Sequence, residues 1–571
     1  MKEKSILTGT IAILVIALVV TSIALFVLIY NVDFSESKVK TFDSYQDLID
    51  YVNQSSTGYY SGFEDRVFAI GEGDVAIAGA ESATKTPSAD SFSTTNIQVE
   101  GVDEPDIVKN DGKYIYVVSG KKVVIVDAFP ADDMEILSEI EFENSVRNIF
   151  INEDKLIVFS TFYKENNVVC KKYPCPLNSG FKTNSGFKTR VFIYDVSDHS
   201  NPELDKEIEA DGNYRDARMI GDYVYLISNK PINYRYDIDL PVFRVNGVEK
   251  IIDIKDISYF PYPDSNYVFT NIMSINVDRD KVESKVFLTG NTWKLYVSEN
   301  NIYLTGNKYI SLDDYFGRLV EEVYLDILPS SERDKVKDIL DSDKPYYEKQ
   351  RNIGEIIEDY SFSLSGNEKE EFDKELLEKA EEFEIQISKE REKTIVHKIS
   401  IDKGDISYEG VGEVPGRVLN QFSMDEHEGN LRIATTTGNF RGTSLNHLYI
   451  LDKDLEIIGS VEDLAPGERI FSSRFMGDRA YMVTFRQVDP LYVIDLSDPR
   501  NPGVLGYLKV TGFSSYLHPY DENHIIGVGK EATEEGRVQG VKIALFDVSD
   551  VSNPIEKAKY EVEGLYSDSN A

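Results

Sequence analysis

Along most of this chain apolar and polar residues alternate. Short runs of valine, isoleucine, tyrosine and phenylalanine are broken by glycine, asparagine and aspartate. A period of two between turn residues predicts β-strands. Two elements recur. The first is a polar turn followed by a strand-like run, as in Asp111-Gly112-Lys113-Tyr114-Ile115-Tyr116, Gly221-Asp222-Tyr223-Val224-Tyr225 and Gly477-Asp478-Arg479-Ala480-Tyr481. Looser copies begin at Glu153, Asn300, Gly429 and Glu522. The second is a run that closes on an aspartate: Asp127, Asp195, Asp278, Asp402, Asp452, Asp495 and Asp547. Three of these continue almost identically, as Asp195-Val196-Ser197-Asp198-His199-Ser200-Asn201-Pro202, Asp495-Leu496-Ser497-Asp498-Pro499-Arg500-Asn501-Pro502 and Asp547-Val548-Ser549-Asp550-Val551-Ser552-Asn553-Pro554. An aspartate at a strand end accepts from the amide two residues on and turns the chain. The proline then starts the next strand where no ladder donor is needed. Strand sets repeating in this way predict an all-β fold, a β-propeller of seven or eight blades.

One interval is far too long for a blade. Between Asp278 and Asp402 the period changes from two to helical over residues 310–393. Leu319, Val320 and Val323 form one apolar stripe, Val336, Ile339 and Leu340 a second, and Leu376, Leu377, Ala380 and Phe383 a third, among Glu and Lys at i,i+4 spacing. A charged helical insertion within the propeller is expected there.

The other break is at the start. Residues 1–5 read as a short cytoplasmic tail. Nothing charged then occurs from Ser5 through Tyr30. That run is longer than the apolar core of a cleaved signal and long enough to span a bilayer, so residues 6–30 are expected to form a retained transmembrane helix. Basic residues flank it almost evenly, Lys2 and Lys4 against Lys38 and Lys40. The expected orientation places the propeller outside the cell membrane. Residues 31–98 read as a stalk, with a short capped helix at Ser44–Val52 and a Gly, Ala, Ser and Thr tether from Gly71 to Thr95. Residues 99–571 are the propeller.

Composition refines this picture. The formal charge is −38, from 99 acids against 61 bases, which argues against nucleic acid or anionic lipid surfaces as partners of the propeller. The two cysteines, Cys170 and Cys175, are separated by four residues including a proline. They are expected to close a disulfide in an oxidising exterior, a free pair being the alternative. With no nearby histidine or second cysteine pair, they do not make a zinc site. Asn53-Gln54-Ser55 is a glycosylation acceptor pattern.

Candidate chemistry is sparse. Glu100, Asp103, Glu104 and Asp106 form the densest acidic cluster, suited either to acid–base work or cation binding or simply to solvated turn residues. Asp425, Glu426 and His427 are adjacent, but neighbours on a strand point to opposite faces and so do not share a site. His518 precedes Pro519 at a strand-to-turn junction, which suits a structural role. Asp-x-Asn-x-Asp-Gly calcium spacing is absent, so no metal is expected. The Gly-x-Ser-x-Gly elbow fails at Gly512-Phe513-Ser514-Ser515-Tyr516, and Leu288 stands where a sialidase Asp-box before Thr292-Trp293 needs its aspartate. Quinone-cofactor propellers repeat tryptophan, and Trp293 is alone, so no cofactor is expected.

Three longer stretches carry a resemblance: Thr95 to Gly112, Pro415 to Glu426 and Gly512 to Pro519, with Leu545-Phe546-Asp547-Val548-Ser549-Asp550 following in the same pattern. They resemble a family of secreted or membrane-anchored proteins with a β-propeller domain distantly related to WD40 repeats. The resemblance spans residues 40–571 and implies no established activity. The helical insertion is larger than that family leads one to expect. The functional expectation is a membrane-anchored extracytoplasmic scaffold that binds a cell-envelope protein or polymer. The alternative is a hydrolase or lyase acting on envelope polymers.

Overall fold

The computed structural model describes residues 39–56, 95–165, 186–232, 238–260, 264, 266–290, 292–438, 443–485, 489–533 and 537–562. The expected transmembrane segment, the tether and both cysteines lie outside them. Among the described residues no helix is long and apolar enough to cross a membrane.

Among the described residues the strands assort into seven sheets, each built around four antiparallel strands that follow one another in the chain, except in sheet 3, where three short strands intervene before the third and one of them, Ile257–Tyr259, joins its edge in parallel. Sheet 1 runs from Val108–Asn110 to Glu135–Glu141, and sheet 2 from Val146–Asn152 to Glu203–Asp211, with Val242–Val245 and Val248–Ile251 added at its edge. Sheet 3 runs from Asn213–Ile220 to Val282–Thr289, and sheet 4 from Thr292–Val297 to Asp405–Val414. Sheet 5 runs from Met424–His427 to Ile457–Leu464, sheet 6 from Arg469–Met476 to Gly503–Val510, and sheet 7 from Phe513–Asp521 to Ile555–Val562.

Both recurring elements fall at equivalent places. The polar turns join the first and second strand of every sheet, and the closing aspartates sit at or just past the end of every third strand. The Asp195, Asp495 and Asp547 carboxylates accept from the amides of Ser197, Ser497 and Ser549 at 3.0, 3.0 and 3.1 Å. The next amide along ties the two elements together. Val196, Leu496 and Val548 donate to the carbonyls of Asp154, Asp478 and Asn523 in the first turn, each at 2.8 Å.

Neighbouring sheets bury their faces on one another, and strand alternation sends successive residues to opposite sides. In sheet 5, Leu431, Ile433, Tyr449 and Leu451 join a core with sheet 4. Ala434, Leu448 and Ile450 join a core with sheet 6. Such cores link sheets 1 to 2, 2 to 3, 3 to 4, 4 to 5, 5 to 6 and 6 to 7.

The helices occupy Leu312–Arg391, between the second and third strands of sheet 4. Ser311 caps the first one through the Asp314 amide. They enclose their own core of Phe316, Val320, Val336, Ile353 and Phe372. Their root is pinned to sheet 4 by Lys308, which pairs with Glu390 at 3.0 Å and Glu413 at 2.9 Å.

Part of the expected stalk docks on the sheets. Lys40–Thr41 pairs with Ile257–Tyr259 at the edge of sheet 3. The helix Tyr45–Ser56 starts with a reciprocal cap, Asp47 amide to the Ser44 hydroxyl and Ser44 amide to the Asp47 carboxylate. Its Leu48 and Val52 are buried in the core shared by sheets 2 and 3, because their four-residue spacing makes one apolar stripe.

Candidate functional site

The four acids of the candidate cluster lie on a lead-in segment, residues 95–107, that threads past the first strands of several sheets. Asn96 donates to the Tyr516 hydroxyl of sheet 7 at 2.6 Å. Gln98 donates to the carbonyls of Gln421 and Met424, at the start of sheet 5. Asp103 pairs with Met219 of sheet 3 and Asp106 with Ile149 of sheet 2 through backbone bridges. First strands of four sheets thus converge on one short stretch of chain.

The acids are not gathered into one site. The Asp103 carboxylate is bound at 2.7 Å by Lys109, whose buried ammonium also donates to the Glu104 carbonyl. Burial raises the Asp103 pKa against the opposing pull of Lys109. Glu104 accepts from the Gln98 amide and Gln421, and lies 3.9 Å from Arg218. Asp106 accepts from the Ile107 amide at 2.6 Å. Glu100 is exposed beside Gly101, whose φ of 79° makes the turn between Val99 and Val102. These contacts build a turn and hold the segment down.

Two buried arginines face this segment, and periodicity did not reveal them. Arg218, in the first strand of sheet 3, donates to the Asp216 carboxylate at 2.8 Å, to the Ala217 carbonyl and to Gln421. Burial works against its charge, but Asp216 and Glu104 prevail and hold the guanidinium protonated. Arg474, in the first strand of sheet 6, lies 5.1 Å over the Phe422 ring with its buried Nη1 unpaired. Burial pushes its pKa down. Burial, helped by Arg474, pushes the His518 pKa down as well, beside the Tyr516 hydroxyl at 3.2 Å. The only trace of either arginine in the sequence is a cation inside an aliphatic strand, Ala217-Arg218-Met219 and Ser473-Arg474-Phe475.

The second cluster divides as strand alternation requires. Asp425 pairs with Arg432 on one side. Glu426 turns the other way to Asn301 and Ser298 of sheet 4. His427 lies 3.4 Å from Asp478 of sheet 6. Among the described residues no group of three or more His, Cys, Asp or Glu side chains is placed to hold a metal ion.

Repeated antiparallel sheets built on four-stranded units, packed face to face, with the first strands of four of them meeting one lead-in segment, define a β-propeller protein. The chain belongs to the family described as Beta propeller domain, which matches residues 92–571. It is similar to an uncharacterized protein of Archaeoglobus fulgidus, 32% identical over 93% of this chain and 82% of the relative. It is also similar to the uncharacterized protein MJ1554 of Methanocaldococcus jannaschii, 34% identical over 83% of this chain and 70% of the relative. Among solved structures, Hsv2 of Kluyvelomyces marxianus aligns over 80% of this chain and 99% of its own at 7% identity, with a TM-score of 0.33, too distant to carry an argument.

Proposed function

We propose that this protein is a membrane-anchored, extracytoplasmic propeller whose seven sheets are seven blades, and that it works as a binding scaffold for a cell-envelope protein or polymer. One observation carries the reading. The lead-in segment occupies the place where the first strands converge and commits Asp103 and Glu104 to holding it there. Recognition then falls to the hairpin loops and the helical arm, the positions where rigid scaffolds usually carry binding residues. The arm suits a protein partner, since it exposes Tyr347, Phe362 and Leu377 among many Glu and Lys. Anchoring rests on the uncharged run from Ser5 through Tyr30. A Cys170–Cys175 disulfide belongs to the same exterior setting.

Two experiments test this. Protease added to intact cells should remove the propeller and leave a short membrane stub. Deletion of residues 310–393 should leave the Tm of the remaining protein close to that of the full chain and weaken its capture of partners from envelope extracts. Turnover of an envelope polymer, abolished by changing Glu100, Asp103 or Asp106, would replace the scaffold with the hydrolase or lyase reading.

A further inference from the structure

A cavity of about 510 Å³ opens where sheet 1 meets sheet 2, and Lys121, Asn144, Ser145, Arg147, Thr161 and Tyr163 line it. Lys121 stands in the turn between the second and third strands of sheet 1, the connection that in sheet 4 carries the helical insertion. Asn144 and Ser145 lie on the link into sheet 2. Arg147 is in that sheet's first strand, and Thr161 and Tyr163 are near the end of its second. Hydrogen bonds to backbone carbonyls hold the walls. The Val146 amide donates to the Gly120 carbonyl at 2.9 Å, the Phe142 amide to the Lys121 carbonyl at 2.8 Å and the Ser160 hydroxyl to the Ser145 carbonyl at 3.1 Å. A cavity formed in advance lowers the cost of binding.

Its chemistry departs from that of the chain. The sequence carries 99 acids against 61 bases, yet the lining holds two cations and no acid. The strand ladder pairs Val146 with Ser160 and resumes at Ile149 with Val158, so Arg147 stands in a bulge. Bulges re-aim side chains and concentrate beside functional sites. Arg147 is exposed, and among the described residues its guanidinium has no hydrogen-bond or ion-pair partner. The Lys121 ammonium donates to the Glu143 carbonyl at 2.7 Å, a neutral partner that leaves its charge uncancelled. The Glu143 carboxylate pairs with Arg190 instead, at 3.2 Å. Thr161 Oγ1 is buried without a partner. Tyr163 is 55% exposed, and its ring lies 5.2 Å from that of Phe187, which is 48% exposed.

We propose that this cavity binds a carboxylate-bearing saccharide, a uronate unit of a polymer. Arg147 and Lys121 take the carboxylate in charge-assisted hydrogen bonds. Asn144, Ser145 and Thr161 answer the hydroxyls at the sugar's edge, and the exposed Tyr163 and Phe187 rings offer a surface to its apolar C–H face. The volume suits a ring or two better than a single small anion. Three neutral polar side chains outnumber the cations, which matches a ligand richer in hydroxyls than in charge and favours a sugar over an acidic peptide. The inference rests on the scaffold reading for its polymer and names that polymer's chemistry.

Isothermal titration of the full chain with tetragalacturonate tests it. The tetramer should bind, and maltotetraose, a neutral tetrasaccharide, should bind at least about tenfold more weakly. Arg147→Gln and Lys121→Gln should each weaken tetragalacturonate binding by about tenfold, as expected for loss of a hydrogen bond to a charged group. Both should leave Tm unchanged, because both side chains are exposed. Absence of tetragalacturonate binding would overturn the proposal, as would binding unaffected by Arg147→Gln. Equally tight, Arg147-dependent binding of tetraglutamate would overturn it in favour of an acidic peptide. Each of these failures leaves capture of envelope partners by the helical arm untouched, so it is distinguishable from failure of the scaffold reading.

Discussion

Sheet 5 and sheet 7 are built from nearly the same kind of sequence, yet they sit in different solvent. In sheet 5 the strand Leu445–Leu451 sends alternate residues into two cores. In sheet 7 the strand Val538–Asp547 buries Ala544 and Phe546 on one side and exposes Ile543 on the other. Sheet 1 repeats that asymmetry at the other end of the array. The difference teaches that a blade's stability is mostly its neighbours' doing. Each sheet contributes two apolar faces, and how many of them are buried depends on what lies beside it.

The largest effect should come from charge at the convergence of the first strands. Arg218→Met leaves the half-buried Asp216 and Glu104 without their cation, which should destabilise by about 3 kcal/mol in equilibrium unfolding, the low end for breaking a buried pair. Arg474→Met removes a buried guanidinium whose Nη1 has no partner and should be neutral or stabilising. Equal losses in both would break the distinction drawn between them.

Core truncations come next and probe the sheet comparison directly. Ile450→Ala, in the core between sheets 5 and 6, should cost about 2–5 kcal/mol. Ile543→Ala, on the open face of sheet 7, should cost under about 1 kcal/mol. Matching losses would mean that sheet 7 is covered on both faces.

An effect that vanishes at neutral pH and appears only on acidification comes from His397 in the third strand of sheet 4. It is buried, with its ring 4.2 Å from that of Phe260 and its Nδ1 3.3 Å from the Tyr408 hydroxyl. Burial pushes its pKa from 6.5 down to about 3. The unfolded chain therefore takes up a proton that the folded one refuses. The stability held by neutral His397 is complete above pH 6.5 and is lost as pH falls toward 3. His397→Gln should flatten the unfolding curve in that window by roughly one proton, about 1.4 kcal/mol per pH unit. An unchanged slope would place the acid sensitivity elsewhere.

The smallest effect should come from a closing aspartate. The Ser197 hydroxyl and amide, with Lys155, pull the Asp195 pKa from 3.8 down to about 2. Its contribution is complete above pH 3.8 and is lost as pH falls to 2. Asp195→Asn retains an acceptor for the turn and should remove only this acid-dependent part, seen as a slightly flatter Tm profile below pH 4. A large loss at neutral pH would give the carboxylate more than a turn to hold.

The closing aspartates and polar turns were legible in the sequence because their chemistry is local. An aspartate at the end of Tyr194-Asp195 captures the Ser197 amide whatever surrounds it, and seven copies in series imply seven equivalent hairpin sets. The helical insertion was legible for the same reason, since a change of period is a property of neighbouring residues. The roles of the acids were not legible. Asp103 and Glu104 look like a free cluster until Lys109, Arg218 and Gln421, two of them more than a hundred positions away, are brought beside them. Nor did the chain announce that Leu48 and Val52 would dock on sheets 2 and 3, because an amphipathic stripe does not name the surface it will meet. The same limit governs the end sheets. Val124 and Ile450 each sit in an equally apolar strand, and only the packing of one sheet on the next decides that Ile450 is buried while Val124 is left partly in water.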